Sequence, residues 1–323
     1  MSRQTTARAV RETQLAPAHP SALLPGESAV YATSAGAAYH GDSLRLMKVM
    51  PSGCVDLVVT STPYALHFKK EYGNVDKDQY VRWFLPFGAE IKRVLKPTGS
   101  FVLNIGGSYN PGTPTRSLYH IKLLLALCEE LGFHLAQECF WYNPAKLPAP
   151  AEWVNVRRIR IKDSVEFVWW LSTSPWPEAD NKAVLVPYSE DMERLLTRGY
   201  IAKKRPSGHA ITHKFQRDRG GAIPSNLVAC GNNESNSEYI RACRSSGQKV
   251  HPARFPAALP EFFIKLLTRR QALVLDPFAG SNTTGRVGED LGRRWLAMEL
   301  SQEYVRNSEL RFGPLELRSM STR

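Results

Sequence analysis

The run Val55-Asp56-Leu57-Val58-Val59 is short, apolar and rich in β-branched residues, which predicts a buried strand. It stops in Thr60-Ser61-Thr62-Pro63-Tyr64. Pro63 disfavours the helical region for Thr62, so the chain stays extended or turned and the Thr62 carbonyl is kept out of helix bonding. The strand end therefore offers the Ser61 hydroxyl, the Thr62 carbonyl and the flat ring of Tyr64. Two oxygen acceptors beside a stacking surface suit an exocyclic amino group on a flat base. A plain strand-to-loop turn is the alternative that this stretch alone leaves open, because proline is a common strand terminator.

A second strand narrows the reading. Ala272-Leu273-Val274-Leu275-Asp276 is followed by Pro277-Phe278-Ala279-Gly280-Ser281-Asn282-Thr283-Thr284-Gly285. The order is an apolar strand ending in an acid, a small-residue turn, then a helix. Such a turn lets a ligand approach backbone N–H groups at a helix start. It has no Gly-Lys-Ser/Thr pair, so it is no phosphate-binding P-loop. A further strand, Arg294-Trp295-Leu296-Ala297-Met298, ends in Glu299, placed to accept hydrogen bonds from ribose hydroxyls. The series points to a nucleoside cofactor.

Taken together, the two stretches resemble the DNA amino-methyltransferases that use S-adenosylmethionine. That family pairs an Asp-Pro-Phe-x-Gly-Ser loop with a catalytic tetrapeptide, Ser/Asn/Asp-Pro-Pro followed by an aromatic residue. Here these are Asp276 to Ser281 and Ser61 to Tyr64. The catalytic motif comes first, which is similar to the permuted β group. The resemblance extends over residues 31–312 and includes Gly36-Ala37-Ala38-Tyr39-His40-Gly41-Asp42-Ser43, Arg205-Pro206-Ser207-Gly208-His209 and His251-Pro252-Ala253-Arg254-Phe255-Pro256. One departure stands out: Thr62 occupies the place of the family's first proline.

The resemblance implies a Rossmann-like methyltransferase fold, a mainly parallel sheet with helices on both faces, and an inserted DNA-recognition lobe. It implies that Ser61, Thr62, Pro63 and Tyr64 hold a base flipped out of duplex DNA. Asp42 and Ser43 would then hold the cofactor's adenine end and Glu299 its ribose. Phe255 would lie beside the methionine part, with Thr60, Asp276, Phe278, Ala279, Gly280, Ser281, Asn282 and Thr283 around the remainder. Serine at the first motif position is similar to cytosine-N4 enzymes, whereas adenine-N6 enzymes usually carry Asp or Asn there. The implied target is a palindrome such as CAGCTG, methylated at the inner cytosine in a restriction-modification setting. Adenine-N6 methylation, and a DNA-binding protein that lost catalysis through Thr62, are the alternatives. A nucleotide-binding oxidoreductase is disfavoured because the loop lacks Gly-x-Gly-x-x-Gly.

Charge agrees with a polyanionic partner, since the 323 residues carry a formal net charge of +12. Cys54, Cys128, Cys139, Cys230 and Cys243 are an odd, scattered set without a Cys-x-x-Cys pair, which argues against zinc and disulfide frameworks and fits a reducing cytoplasm. None follows a proline, which argues against a Pro-Cys nucleophile. His209 and His213 are four apart with no third ligand nearby, so no metal site is expected. No apolar run is long enough to span a bilayer.

Along the chain, residues 1–27 read as a mobile tail with folded sequence from about Val30, and 28–186 as the first part of the catalytic domain. Strands are expected at 38–42, 100–105, 140–142 and 165–171. Helices are expected at 78–95 and at 118–131, the latter with Ile121, Leu124, Leu125, Cys128 and Leu131 on its buried face. Residues 187–250 read as an inserted, loop-rich target-recognition region, and 251–323 as the part of the catalytic domain that carries the cofactor loop. Lys203, Lys204, Arg205, Ser207, His209, Lys214 and Arg217 are the candidate DNA contacts there. Arg157, Arg158, Arg160 and Lys162 are candidates for phosphates, which position a duplex without reading it.

Overall fold

The computed structural model describes residues 17–65, 75–199, 217–232 and 237–313. Among these residues nine strands form one sheet: β1 (Tyr31–Ala32), β2 (Gly36–His40), β3 (Val55–Ser61), β4 (Leu95–Ile105), β5 (His134–Tyr142), β6 (Val165–Ser172), β7 (Leu227–Ala229), β8 (Leu273–Asp276) and β9 (Arg294–Glu299). Their spatial order is β1-β2-β9-β8-β3-β4-β6-β5-β7. The segment from β2 to β4 is parallel throughout, while β1 and β6 run antiparallel to their neighbours.

Period-two alternation explains how the central strands become buried on both sides. Val58, Phe101, Leu103, Leu273 and Leu275 face one core with α1 (Ser43–Val49), α2 (Tyr80–Val94) and α3 (Tyr119–Glu129). Leu57, Val59, Val102 and Val274 face the other, where α6 (Ala258–Leu267) and α7 (Thr283–Asp290) pack. The chain leaves β3 toward β4 through α2 and leaves β8 toward β9 through α7, in opposite directions and on opposite faces. The carboxyl ends of adjacent β3 and β8 therefore lie at a topological switch point, where a crevice opens.

Several expectations need correcting. Residues 17–27 are not a loose tail as far as the described chain goes. Pro20–Leu23 form a 3-10 helix, Leu24 is 1% exposed in the first core, and His19 Nε2 is 2.9 Å from the Thr33 carbonyl. A lone Leu23-Leu24 pair has no periodicity, so nothing in the sequence marked it as core. In α3 the buried residues are Tyr119, His120, Leu123, Ala126 and Leu127, whereas Leu125 is exposed. The run Leu123 to Leu127 is apolar all round and so carries no polar face to set the helix phase. β4 starts earlier than the strand expected at 100–105, and residues 96–99 interrupt its ladder with β3, where Val55 pairs with Leu95 but Leu57 pairs with Ser100. Within 187–250 there are also regular elements: α4 (Glu190–Arg198), β7, paired parallel to β5, and α5 (Glu238–Ser245). Among the described residues no helix is long and apolar enough to cross a membrane, and no His/Cys/Asp/Glu group could hold a metal.

Candidate active site

A cavity of about 820 Å³ opens at the carboxyl ends of β3 and β8. Its walls include Ser61, Thr62, Pro63 and Tyr64 on one side, and Asp42, Ser43, Phe255, Phe278, Ala279, Gly280, Ser281, Thr283 and Glu299 on the other. Parallel pairing of β3 with β8, and of β8 with β9, brings the two motifs and Glu299 to one edge.

On the β8 side the backbone is built around Gly280. Its φ is +52°, and a Cβ there would lie 3.1 Å from the His251 ring. Glycine is thus favoured by conformation, and any side chain there would make the His251 ring give way by a few tenths of an ångström. Gly280 N–H donates to Glu299 Oε2 at 2.8 Å, and Ser301 N–H donates to Oε1 at 2.8 Å. Burial raises the Glu299 carboxyl above its ordinary range, and the backbone donors oppose that rise. Asp42 accepts from Leu44 N–H at 3.0 Å through Oδ1 and caps α1, so its capping role and its place on the cavity wall coexist. Burial of His251 lowers its pKa to about 4, which keeps the ring neutral beside Gly280.

Three expected cofactor residues stand behind the wall. Thr60 Oγ1 donates to Asp276 Oδ1 at 2.6 Å, Thr284 Oγ1 to Oδ2 at 2.7 Å, and Phe278 N–H to Oδ1 at 3.1 Å. Asp276 is buried, and desolvation raises it to about 6 against these donors. It bolts β3 to the start of the loop. Asn282 adopts the left-handed region at φ 53°, caps α7 by accepting from Gly285 N–H at 3.0 Å, and donates to Tyr31 Oη at 2.9 Å. These side chains are already engaged inward, which is why they do not line the cavity.

On the β3 side Tyr64 is the centre of a polar cluster. Its hydroxyl lies 2.7 Å from Glu166 Oε2, 3.1 Å from Asn104 Oδ1 and 3.4 Å from Ser61 Oγ. The single phenol proton goes to the shorter, charged contact with Glu166. Lys146 Nζ donates to Glu166 Oε1 at 2.8 Å. Burial, followed by the nearby Glu166 charge, pushes the Tyr64 hydroxyl well above its ordinary pKa, so it remains a donor. The ring is packed on Gly106, where a Cβ would lie 2.5 Å from Tyr64 Cε2.

Sequence reasoning missed Glu166, Asn104 and Trp141, all of which line the cavity. A signal existed for two of them: Glu166 and Asn104 interrupt otherwise apolar strands, Val-Glu-Phe-Val-Trp-Trp-Leu-Ser and Ser-Phe-Val-Leu-Asn-Ile.

The candidate DNA contacts divide. Residues 143–164 form the long connection from β5 to β6, starting beside Trp141 and ending beside Glu166 at the cavity wall. On it Arg158 is exposed, with φ 55°. Arg157 is exposed too, but pairs with Glu152 at 2.8 Å and lies 4.8 Å over the Trp153 ring. Arg160 is turned to support, donating to the Pro114 carbonyl at 2.7 Å and stacking on Tyr109. Arg217 is exposed. Lys203, Lys204, Arg205, Ser207, His209 and Lys214 lie outside the described residues.

Comparison with known proteins agrees with this arrangement. A family model described as DNA methylase, of the N6/N4 methyltransferase type, matches residues 55–310. The chain is 49% identical over 290 residues to the type II methyltransferase M.PvuII of Proteus hauseri, spanning 89% of this chain and 86% of that protein. It is 28% identical to the type II methyltransferase M.ScaI of Streptomyces caespitosus, spanning 90% and 84%. The solved structure of PvuII DNA methyltransferase, titled cytosine-N4-specific, superposes with a TM-score of 0.74 at 44% identity over 90% of each chain. With its strand-end motifs converging on one cavity and a family match over most of its length, this chain belongs to the N6/N4 DNA methylase family.

Proposed function

We propose that the protein transfers a methyl group from S-adenosylmethionine to N4 of a cytosine flipped out of duplex DNA. The observation that carries this reading is one cavity shared by Ser61, Thr62 and Tyr64 with Asp42, Phe278 and Glu299. Its volume lies in the range of ligand pockets, and the donor set fits the cofactor. Carboxylates at Asp42 and Glu299 suit ribose hydroxyls and an adenine amino group, aromatic Phe255 and Phe278 suit the apolar parts, and side-chain-free Gly280 lets a ligand approach the backbone. When bound, S-adenosylmethionine supplies a sulfonium-activated methyl group.

The residues supply position and charge stabilisation. An amino group on a nucleobase is a poor nucleophile because its lone pair is delocalised into the ring. Ser61 Oγ and the Thr62 carbonyl accept the two amino hydrogens, which favours a pyramidal nitrogen and stabilises the positive charge that develops on it. Among the described residues Ser61 Oγ has only the long Tyr64 contact, so its hydroxyl is easily redirected. Tyr64 stacks on the base, and Glu166 with Asn104 fixes that ring from its hydroxyl end. A base within a duplex cannot reach such a recess, hence base flipping.

Ser61 at the first motif position favours cytosine N4 over adenine N6. Residues 187–250 serve as the target-recognition region within the two-part catalytic domain of 28–186 and 251–323, and Arg158 meets backbone phosphates. The target is a palindrome such as CAGCTG, and the physiological counterpart is a restriction endonuclease cutting the same site in the cytoplasm. Incubation with genomic DNA and labelled cofactor, followed by mass analysis of digested nucleosides, tests the reading. N4-methylcytosine is expected. N6-methyladenine would replace the base assignment, and no methylated product would leave a DNA-binding protein.

A further inference from the structure

The departure at Thr62 has a counterpart elsewhere in the fold. Thr62 is buried, and its Oγ1 lies 2.6 Å from the hydroxyl of Tyr80, the first residue of α2. Tyr80 is fully buried, and its hydroxyl donates to the Pro63 carbonyl at 2.9 Å. A phenol has one proton. With that proton given to Pro63, the Thr62 hydroxyl must donate to the Tyr80 oxygen, so counting donors fixes the direction of both bonds. The Tyr80 ring is itself held edge-on to Tyr119 at 4.8 Å and tilted against Trp83 at 5.3 Å. Tyr119 in turn donates through its hydroxyl to the Gly106 carbonyl, and Gly106 is the surface on which the Tyr64 ring rests.

One phenol therefore grips both residues of the Thr62–Pro63 peptide. Neither bond uses the Thr62 carbonyl, which stays available to an incoming amino group. A proline at position 62 would restrain the backbone covalently through its ring, which threonine cannot do. We propose that Tyr80 is a positioning residue that supplies this restraint by hydrogen bonds, locking the Thr62 carbonyl and Tyr64 in their working geometry. The proposal rests on the catalytic reading of Ser61 to Tyr64. It distinguishes Tyr80 from an ordinary core tyrosine, because its hydroxyl should matter far less once residue 62 is proline.

The test is a cycle of Tyr80→Phe, Thr62→Pro and the double variant, in the full-length protein. Three readings are taken: single-turnover methyl transfer, cofactor affinity, and amide hydrogen exchange across residues 60–65. Tyr80→Phe alone should slow methyl transfer roughly 10- to 100-fold, as expected when a reacting geometry loosens, with cofactor affinity within about twofold of wild type. Exchange across 60–65 should rise. Adding Thr62→Pro to Tyr80→Phe should recover at least half of the lost rate on a logarithmic scale and reverse the exchange. The two changes would then be strongly non-additive. Full activity in Tyr80→Phe, or a double variant no faster than Tyr80→Phe, would overturn the proposal. If the wild type transfers no methyl group at all, the proposed function fails, and the exchange data alone decide whether Tyr80 locks this peptide.

Discussion

The Tyr64 hydroxyl and the Glu166 carboxylate meet at 2.7 Å, joining the segment just past β3 to the second residue of β6 across β4. The contact fixes the far end of the ring proposed to stack on the base. Replacing Tyr64 by Phe keeps the ring and loses the tether, whereas Ala loses both. Tyr64→Ala should weaken capture of the flipped base by about 1–3 kcal/mol, the range for base–aromatic stacking, and Tyr64→Phe by clearly less. Burst-phase methyl transfer on a short duplex measures both. Equal loss in the two variants would show that the hydroxyl, not the ring, is what matters.

Ser61→Ala removes one of the two acceptors proposed for the amino hydrogens. Turnover should fall roughly 100-fold or more, as for loss of a preorganised charge-stabilising contact, while cofactor affinity barely changes. Isothermal titration and single-turnover kinetics separate the two quantities. Near wild-type turnover would remove Ser61 from the reaction.

Stability should depend on pH through groups that oppose one another, His251 and His120 with lowered pKa values against Asp276 and Glu299 with raised ones. His251 has its folded pKa lowered to about 4, so the unfolded chain binds the extra proton and stability falls as pH drops from about 6.5 to 4. The full shift corresponds to roughly 3 kcal/mol. Asp276 is raised to about 6, so its folded form takes up a proton first, and its contribution strengthens over the same descent, from pH about 6 to 4. Urea denaturation at several pH values gives the net slope, and comparison of the wild type with His251→Gln isolates the His251 share. His251→Gln should remove that share, so the variant loses less stability than the wild type on acidification from pH about 6.5 to 4. An unchanged slope in that variant would mean that the imidazole does not titrate as its burial requires.

Basic residues on the connection 143–164 should sort by what holds them. Arg158→Ala should weaken binding to all DNA sequences alike and reduce the slope of log affinity against log salt by about 0.9, one phosphate contact. Arg160→Ala should instead lower thermal stability, since its guanidinium holds the Pro114 carbonyl and stacks on Tyr109. Fluorescence anisotropy on two unrelated duplexes, with a melting curve for each variant, checks the division. His209→Ala and Ser207→Ala should behave differently again, costing about 1–3 kcal/mol at particular base pairs and altering the methylation map.

Much of the chemical edge was legible because strand ends are local. Val55 to Tyr64 and Leu273 to Ser281 each read as a strand running into an unusual turn, and a parallel sheet leaves such ends few places to go. What escaped was contact at long sequence distance. Glu166 lies 102 residues from the tyrosine it binds, and Asp276 lies 216 residues from Thr60. No local pattern states that Asp276 faces a threonine rather than a ligand. The same holds for the phase of α3, where an unbroken apolar run offered the first core a choice of faces.

Gly106 shows how little room the arrangement leaves. A side chain there would begin 2.5 Å from an aromatic carbon, before any difference between amino acids could matter. Alanine and tryptophan would fail at the same atom. The stacking ring is thus gauged by an empty space, and a hydrogen atom is the largest substituent that lets Tyr64 lie where it does.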